Sequence, residues 1–266
     1  MHPSITISPL LPTEVDTAYP LCADEPALHG QLLWHVYTPD AHAVKAVVDG
    51  ELCAFAYAHA HATTGWVREV FVHPGHFGTG VGTALVQALV QWLVARGTTA
   101  QGVVAAPGTE HFFARLGFVP ELELLGYSGG RFKQAQYDEV VSLEPQHLLG
   151  VLHLDRKVCG EDRSTWLREH LYLGNVWAEG TQVRGFLLPL AGRGLIVADA
   201  PLVGLELQRW LWPVQHELVL PVGAVQAHAH LLDLGHTTRP VGLRMWRGPA
   251  PLLHPERVFA WPQGWG

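Results

Sequence analysis

Residues 72–85, VHPGHFGTGVGTAL, place four glycines and a proline between a β-rich run and an apolar helical run. The run before the corner, WVREVFV at 66–72, reads as a strand that Pro74 closes, because proline has no N–H to give a ladder. The run after it, from about Val81 to Arg96, carries Leu85, Leu89, Trp92 and Leu93 at helical spacing and stops at Gly97. Without Cβ atoms at 78, 80 and 82, successive N–H groups can turn to one side and form a concave anion site. The following helix adds its unpaired N-terminal N–H groups and its dipole, and together these suit a pyrophosphate. The competing reading is a tight turn and nothing more. Neither common nucleotide loop fits. Gly-Lys-Ser/Thr is absent, and the loop follows a fourth strand of a mostly antiparallel start, not the first strand of a βαβ unit.

Around the corner the pattern is regular. Strands are expected at 4–8, 43–48, 51–61, 66–72, 102–106 and 131–137, with Asp49-Gly50 as a hairpin turn and Thr63-Thr64-Gly65 as another. Helices are expected at 26–37, 81–96 and 109–118. The order then recurs: strand 140–143, a mostly helical 147–171, a hairpin around Glu179-Gly180, strand 194–200, helix 205–212, strand 217–222, helix 224–235 and strand 241–248. Two half-chains with one element order indicate a duplicated α/β domain with a boundary near 137–140.

Composition narrows the function. The chain has 266 residues, 48% hydrophobic and 15% charged, enough for one large or two ordinary cores. The net charge of -7, three lysines and the lack of a basic cluster argue against nucleic acid and suit a cationic substrate such as an amine. Cys22, Cys53 and Cys159 lie far apart with no CxxC spacing, which disfavours disulfide or zinc frameworks and makes a reducing cytoplasm the default. The N-terminal run MHPSITISPLLPTEVD has no signal-peptide pattern, and no apolar run reaches membrane-spanning length.

The motif Val72-His73-Pro74 followed by Phe77-Gly78-Thr79-Gly80-Val81-Gly82, and Leu116-Gly117-Phe118 closing a short helix at the right distance, resembles the GNAT superfamily of N-acetyltransferases over residues 5–125. CGEDRSTWLREHL at 159–171 and LRMWRG at 243–248 resemble the C-terminal half of two-domain members, a degenerate GNAT-like domain. The resemblance implies an α/β (α+β) fold of tandem GNAT domains, each a mixed, mostly antiparallel sheet flanked by helices. It places an acetyl-CoA-binding domain at 1–138 and a degenerate one at 139–266. In the second half the matching corner, ADAPLVGLEL at 198–207, has one glycine and is not expected to cradle a pyrophosphate.

The implied activity is acetyl transfer from acetyl-CoA, as co-substrate, to a primary amine of a small molecule or protein, by a monomer or homodimer. Val70, Phe71 and Val72 would bind the pantetheine arm, while Phe77, Gly78, Thr79, Gly80, Val81, Gly82 and Thr83 would bind the pyrophosphate. Two positions depart from the family: Phe77 stands where Gln or Arg is usual, and Phe113, lining the cofactor side, stands where a Tyr acid is common. The Asn common on the fifth strand is also missing, with Ala106 near that position. Glu69 is the candidate base, against a plain reading as a solvated glutamate beside Arg68. His111 is the candidate replacement acid; His73 and His76 read as loop histidines. A CoA-binding protein without turnover is the alternative function. His59/His61 and His228/His230 have no third partner at a recognisable spacing, so no metal site is expected. Asp162 and Arg163 read either as substrate binders or as a local helix cap, and the tryptophans of the second half as core.

Overall fold

The computed structural model describes residues 5–22, 27–131 and 133–262. The first half contains β1 (Ile5–Pro9), α1 (Val15–Ala18), α2 (Ala27–Tyr37), β2 (Ala41–Val48), β3 (Glu51–His61), β4 (Thr64–Val72), α3 (Val81–Ala95), β5 (Ala100–Ala105), α4 (Glu110–Arg115) and β6 (Val119–Ser128). There follow β7 (Val140–Ser142), α5 (Leu148–Cys159), α6 (Ser164–Glu169), β8 (Asn175–Glu179), β9 (Gln182–Leu188), β10 (Leu195–Ala198), α7 (Pro201–Leu211), β11 (Glu217–Pro221), α8 (Val225–Asp233), β12 (Thr237–Arg247) and β13 (Val258–Ala260). The chain forms two compact units. One takes residues 1–103, 115–118 and 246–249; the other takes 104–114, 119–245 and 250–266.

In the first unit, β1, β2, β3 and β4 pair antiparallel in that order, and β4 then pairs parallel with β5. The β2–β3 turn is the expected one: Asp49 and Gly50 both have positive φ, 52° and 88°, as a two-residue hairpin turn demands. The β3–β4 turn sits slightly earlier than its sequence suggests, with Ala62 at φ 46° and Thr64 already in strand. The two sheet faces are covered differently. Phe55 and Tyr57 on β3 pack with Leu32 of α2 and with Val15 and Ala18 of α1. The alternate residues Ala54, Ala56 and Ala58 point the other way. Ala60 pairs with Gly65, and a Cβ at Gly65 would meet Leu93 at 2.4 Å, so α3 lies on the alanine face. Leu85, Leu89 and Leu93 are fully buried there, while Trp92 at the edge stacks on His42. Small residues under α3 let a long helix sit close to the sheet.

In the second unit, β6 pairs antiparallel with β11, and β13-β10-β9-β8-β7 form a five-stranded sheet. Val203, Leu207 and Leu211 of α7 enter a core with Trp177, Ile196, Leu218 and Phe259. Two expectations need correction. No strand forms at 131 or 133–137; the strand is β6, at 119–128. The amides of Gln136 and Tyr137 donate instead to the buried carboxylate of Glu206, which also pairs with Arg209. A side chain thus takes the place of a neighbouring strand. In addition, α7 begins at Pro201, earlier than expected, since Pro suits a first helical position.

Trp166, Trp177, Trp212, Trp246 and Trp261 are buried, as a core role requires, whereas Trp210 is 38% exposed. Residues 263–266, Trp265 among them, lie outside the described residues. The Asp162/Arg163 pair works locally. Asp162 Oδ1 accepts the Ser164 amide at 3.3 Å, while Arg163 turns inward onto Asp155. Gly204, the one glycine at the second half's corner, is packed and not open: a Cβ there would sit 2.1 Å from Phe259.

Candidate functional site

The site in the first unit begins with a defect in β4. Its pairing with β3 runs Ala54↔Val72, Phe55↔Phe71 and Ala56↔Val70, then resumes at Ala58↔Val67. Arg68 and Glu69 therefore both stand opposite Tyr57, which is a β-bulge. On its other side, the β4–β5 ladder has three pairs among the described residues, ending at Trp66↔Gly102. Strand β4 continues to Val72 beyond that last pair. A strand released from its neighbour presents a row of unused N–H and C=O groups. Val70, Phe71 and Val72 lie on this stretch, half-buried. An extended chain bearing amides can add to such an edge as a further strand.

The glycine corner follows directly. Pro74–His76 make one 3₁₀ turn, and the His73 ring accepts the Gly75 amide. The Phe77 amide is used by Pro74 O at 3.2 Å, and Thr79 bonds His76 O through both its amide and its hydroxyl. Gly78 and Gly80 have φ of +75° and +92°, values that L side chains rarely adopt. The first helical bond is Ala84 N–H to Gly80 O, at 3.0 Å. The amides of Gly78, Gly80, Val81, Gly82 and Thr83 have no acceptor among the described residues. Gly80 caps α3 without a side-chain bond, and no acidic residue occupies the first turn. A Cβ at Gly78 or Gly80 would project into open space. The corner is thus an uncompensated positive helix end with room in front of it, suited to an anion with several oxygens.

Glu69 through Thr83 are thus contiguous along one path, from the bulge of β4 to the head of α3. Phe77 is 67% exposed and adds no donor. His111 and Phe113 are on α4, in the 104–114 segment of the second unit. His111 is exposed, whereas Phe113 is buried against the edge of Phe112.

Behind the bulge is a buried group that the sequence reading did not assemble. Tyr57 Oη donates to Gln31 Oε1 at 3.3 Å. Burial first, then the charge of Glu69, pushes the Tyr57 phenol well above its usual range. His35 lies against Tyr57, with ring centroids 4.1 Å apart. Its Nδ1–H donates to Gln31 O at 2.7 Å, leaving Nε2 to face His59 Nδ1 at 3.3 Å. His59 and His61 are buried on one face of β3, with their rings in contact. Alternation of Tyr57, His59 and His61 was the available signal. His228, by contrast, pairs with Tyr127 Oη. Among the described residues, no group of three His, Cys, Asp or Glu could hold a metal ion.

Burial holds the His35 pKa down to about 3. The unfolded chain, with an ordinary histidine, takes up a proton below about pH 6.5 that the folded chain refuses. Stability should therefore fall with acid through this window, by about 1.4 kcal/mol per pH unit from this one group. Between pH 7 and pH 5 the loss is about 2 kcal/mol, read from urea midpoints. The H35Q variant should show a shallower slope, and an identical slope would remove His35 as the cause.

Comparison with known proteins gives the context. Residues 11–118 match the family model described as acetyltransferase (GNAT) family. No curated protein sequence matches the chain. Among solved structures, it is similar to an acetyltransferase of unproven function from Pyrococcus horikoshii, at 17% identity and TM-score 0.82, covering 96% of this chain and 93% of that one. A GCN5-related N-acetyltransferase from Sphaerobacter thermophilus aligns at 15% identity and TM-score 0.61, over 94% and 98% of the two chains. A tandem GNAT protein from the clavulanic acid biosynthesis pathway aligns at 13% identity and TM-score 0.57, over 93% and 100%. The fold is the GNAT fold in its tandem form, and the family match falls on residues 11–118. Among the described residues no helix is long and apolar enough to cross a membrane.

Proposed function

We propose that this chain, through its GNAT domain, moves the acetyl group of acetyl-CoA to a primary amine. The observation that carries the reading is the set of unspent amides at Gly78 and at Gly80–Thr83, at the head of α3. Acetyl-CoA fits what is present. Its diphosphate matches the amide cradle, and its amide-bearing arm matches the β4 edge at Val70–Val72. The amine nitrogen attacks the thioester carbonyl carbon, the C–S bond breaks, and CoA leaves as thiolate. A β4 amide next to the carbonyl oxygen stabilises the charge that develops there. Glu69, set off by the bulge, accepts the proton that the amine loses, directly or through one water. The thiolate takes a proton from solvent, since Phe113 has none to give. Residues 1–138 do the CoA binding. At the matching corner of the half at 139–266, Phe259 fills the space over Gly204.

Phe113 supports a second reading, a CoA-binding protein without turnover. One assay separates them: thiol release from acetyl-CoA with a panel of amines, using E69Q as the control. The proposal expects turnover with at least one amine and a loss of about 100-fold or more in kcat for E69Q, with the acetyl-CoA KM little changed. Tight CoA binding with no turnover for any amine favours the second reading. Equal kcat in E69Q removes Glu69 as the base.

A further inference from the structure

The second unit holds a cavity of about 230 Å³ beside the segments that follow β6 and precede β12. Gly129, Gly130 and Arg131 line it together with Trp212, His216 and His236. Two bonds fix the loop at its wall. The Gly130 amide donates to His236 Nδ1 at 3.1 Å, and the Arg131 amide donates to Leu234 O at 2.9 Å. Position 130 has to be glycine, because a Cβ there would run into the His236 ring. The Trp212 ring stacks on His236, with centroids 4.5 Å apart. The volume is below the ~300–1,000 Å³ of drug-sized ligand sites, which limits an occupant to a few carbon atoms or one ring.

These contacts decide which groups remain unspent. His236 is 5% exposed. Because its Nδ1 accepts the Gly130 amide, the ring is neutral and its proton sits on Nε2. Burial also holds this histidine below its ordinary pKa. The Nε2–H is buried and has no acceptor among the described residues. The same is true of the indole N–H of Trp212, a residue 9% exposed. Buried donors without an acceptor are costly, and here two of them belong to stacked rings on one cavity. Among the described residues no acid lines the cavity. Glu217, next to His216 in the chain, is held by Arg193 and Arg239. The exposed Arg131 guanidinium has no acidic partner among the described residues. We propose that this cavity binds the carboxylate of a small organic acid, which accepts from the Trp212 indole and the His236 ring while Arg131 supplies the opposite charge. One fixed positive charge matches a carboxylate better than a phosphate, which carries about −1.5 to −2 at neutral pH. The site lies in the second unit and does not depend on the acetyl-CoA reading.

NMR of the isotope-labelled full chain tests it, by following the Trp212 indole N–H and the His236 Nε2–H at neutral pH. The chain is titrated with propionate, benzoate, the neutral benzamide and inorganic phosphate. Both signals should move downfield and saturate with propionate or benzoate, and stay in place with benzamide. The R131Q chain should bind the same carboxylate about 10-fold or more weakly, since a charge-assisted bond is lost. Its amide spectrum should otherwise match the wild type, because the side chain is exposed. H236F should lose the saturable shift of the Trp212 indole as well. The R131Q result decides the matter if H236F does not fold. Neither signal moving with either carboxylate overturns the proposal. Equal shifts with benzoate and benzamide overturn it too, because charge is then not what the site reads. Tighter binding of phosphate than of both carboxylates overturns the assignment to a carboxylate. Unchanged affinity in R131Q removes Arg131 and contradicts the proposal.

Discussion

Gly80→Val should abolish measurable acetyl-CoA binding, with an affinity loss of about 100-fold or more. Gly80 caps α3 at φ +92°, a conformation that a β-branched residue holds only under strain. Relieving that strain turns the peptide planes on either side. The amides of Gly80, Val81 and Gly82 then cease to point to one place. Each hydrogen bond to a charged oxygen contributes about 1.5–3 kcal/mol, so losing two accounts for the predicted factor. The side chain itself would stand in the open space where a Cβ at this position projects, which is where the diphosphate approaches. Folding should suffer far less, by about 1–2 kcal/mol, because nothing packs against the residue. Gly80→Ala should fall between the two. Titration calorimetry reads the affinity and urea unfolding reads the stability. A variant that binds CoA as well as the wild type would show that the corner is only a turn.

Asp155→Ala should destabilise the second unit by about 3–5 kcal/mol, whatever it does to activity. Asp155 and Arg163 are both 1% exposed and meet through two bonds: Arg163 Nη2 to Oδ1 at 2.5 Å, and Nε to Oδ2 at 3.1 Å. Burial pulls the guanidinium down, but Asp155, Cys159 and Glu161 outweigh it and hold Arg163 above its ordinary value. Removing the carboxylate leaves a buried cation without the one acid it bonds directly. Close by, Arg244 stacks over Trp261 and pairs with Glu121 at 3.2 Å and Glu161 at 3.4 Å. These arginines fall in the two stretches that carried the second half's resemblance, 159–171 and 243–248. Arg163 ties the start of α6 to α5 through Asp155, and Arg244 ties β12 to Glu161 and to Glu121 of β6. The double variant D155L/R163M should recover most of the loss, because apolar groups of similar size need no counter-charge. A single variant within about 1 kcal/mol of wild type in urea unfolding would contradict the account.

The first half was more legible than the second, and the reason is local chemistry. Asp49-Gly50, Gly97 and the glycine corner act through backbone conformation, which residue type nearly fixes. The α3 face was readable because its leucines repeat at helical spacing. By contrast β6 was missed because Pro120 and Gly126 interrupt its alternation, and 131–137 looked like a strand by composition. The distant Glu206 carboxylate, which takes the amides of Gln136 and Tyr137, explains why 133–137 stay irregular. The short β13 has too few residues for a periodic signal. The bulge at Arg68/Glu69 was invisible for a different reason: it is a property of the β3–β4 pairing, not of either strand. For that reason the sequence can offer Glu69 as a base yet cannot say how the backbone aims it. The same holds for the His35–Tyr57 contact, which joins α2 to β3 across residues far apart in the chain.

The central claim is that the amides from Gly78 to Thr83 bind the diphosphate of acyl-CoA. Amide-detected NMR of isotope-labelled protein, titrated with CoA, tests it most directly. The account predicts large downfield shifts for Gly78, Gly80, Val81, Gly82 and Thr83, saturating together, while the Phe77 amide, already bonded to Pro74 O, moves less. Shifts centred elsewhere, with these five resonances unmoved at saturating CoA, would contradict it.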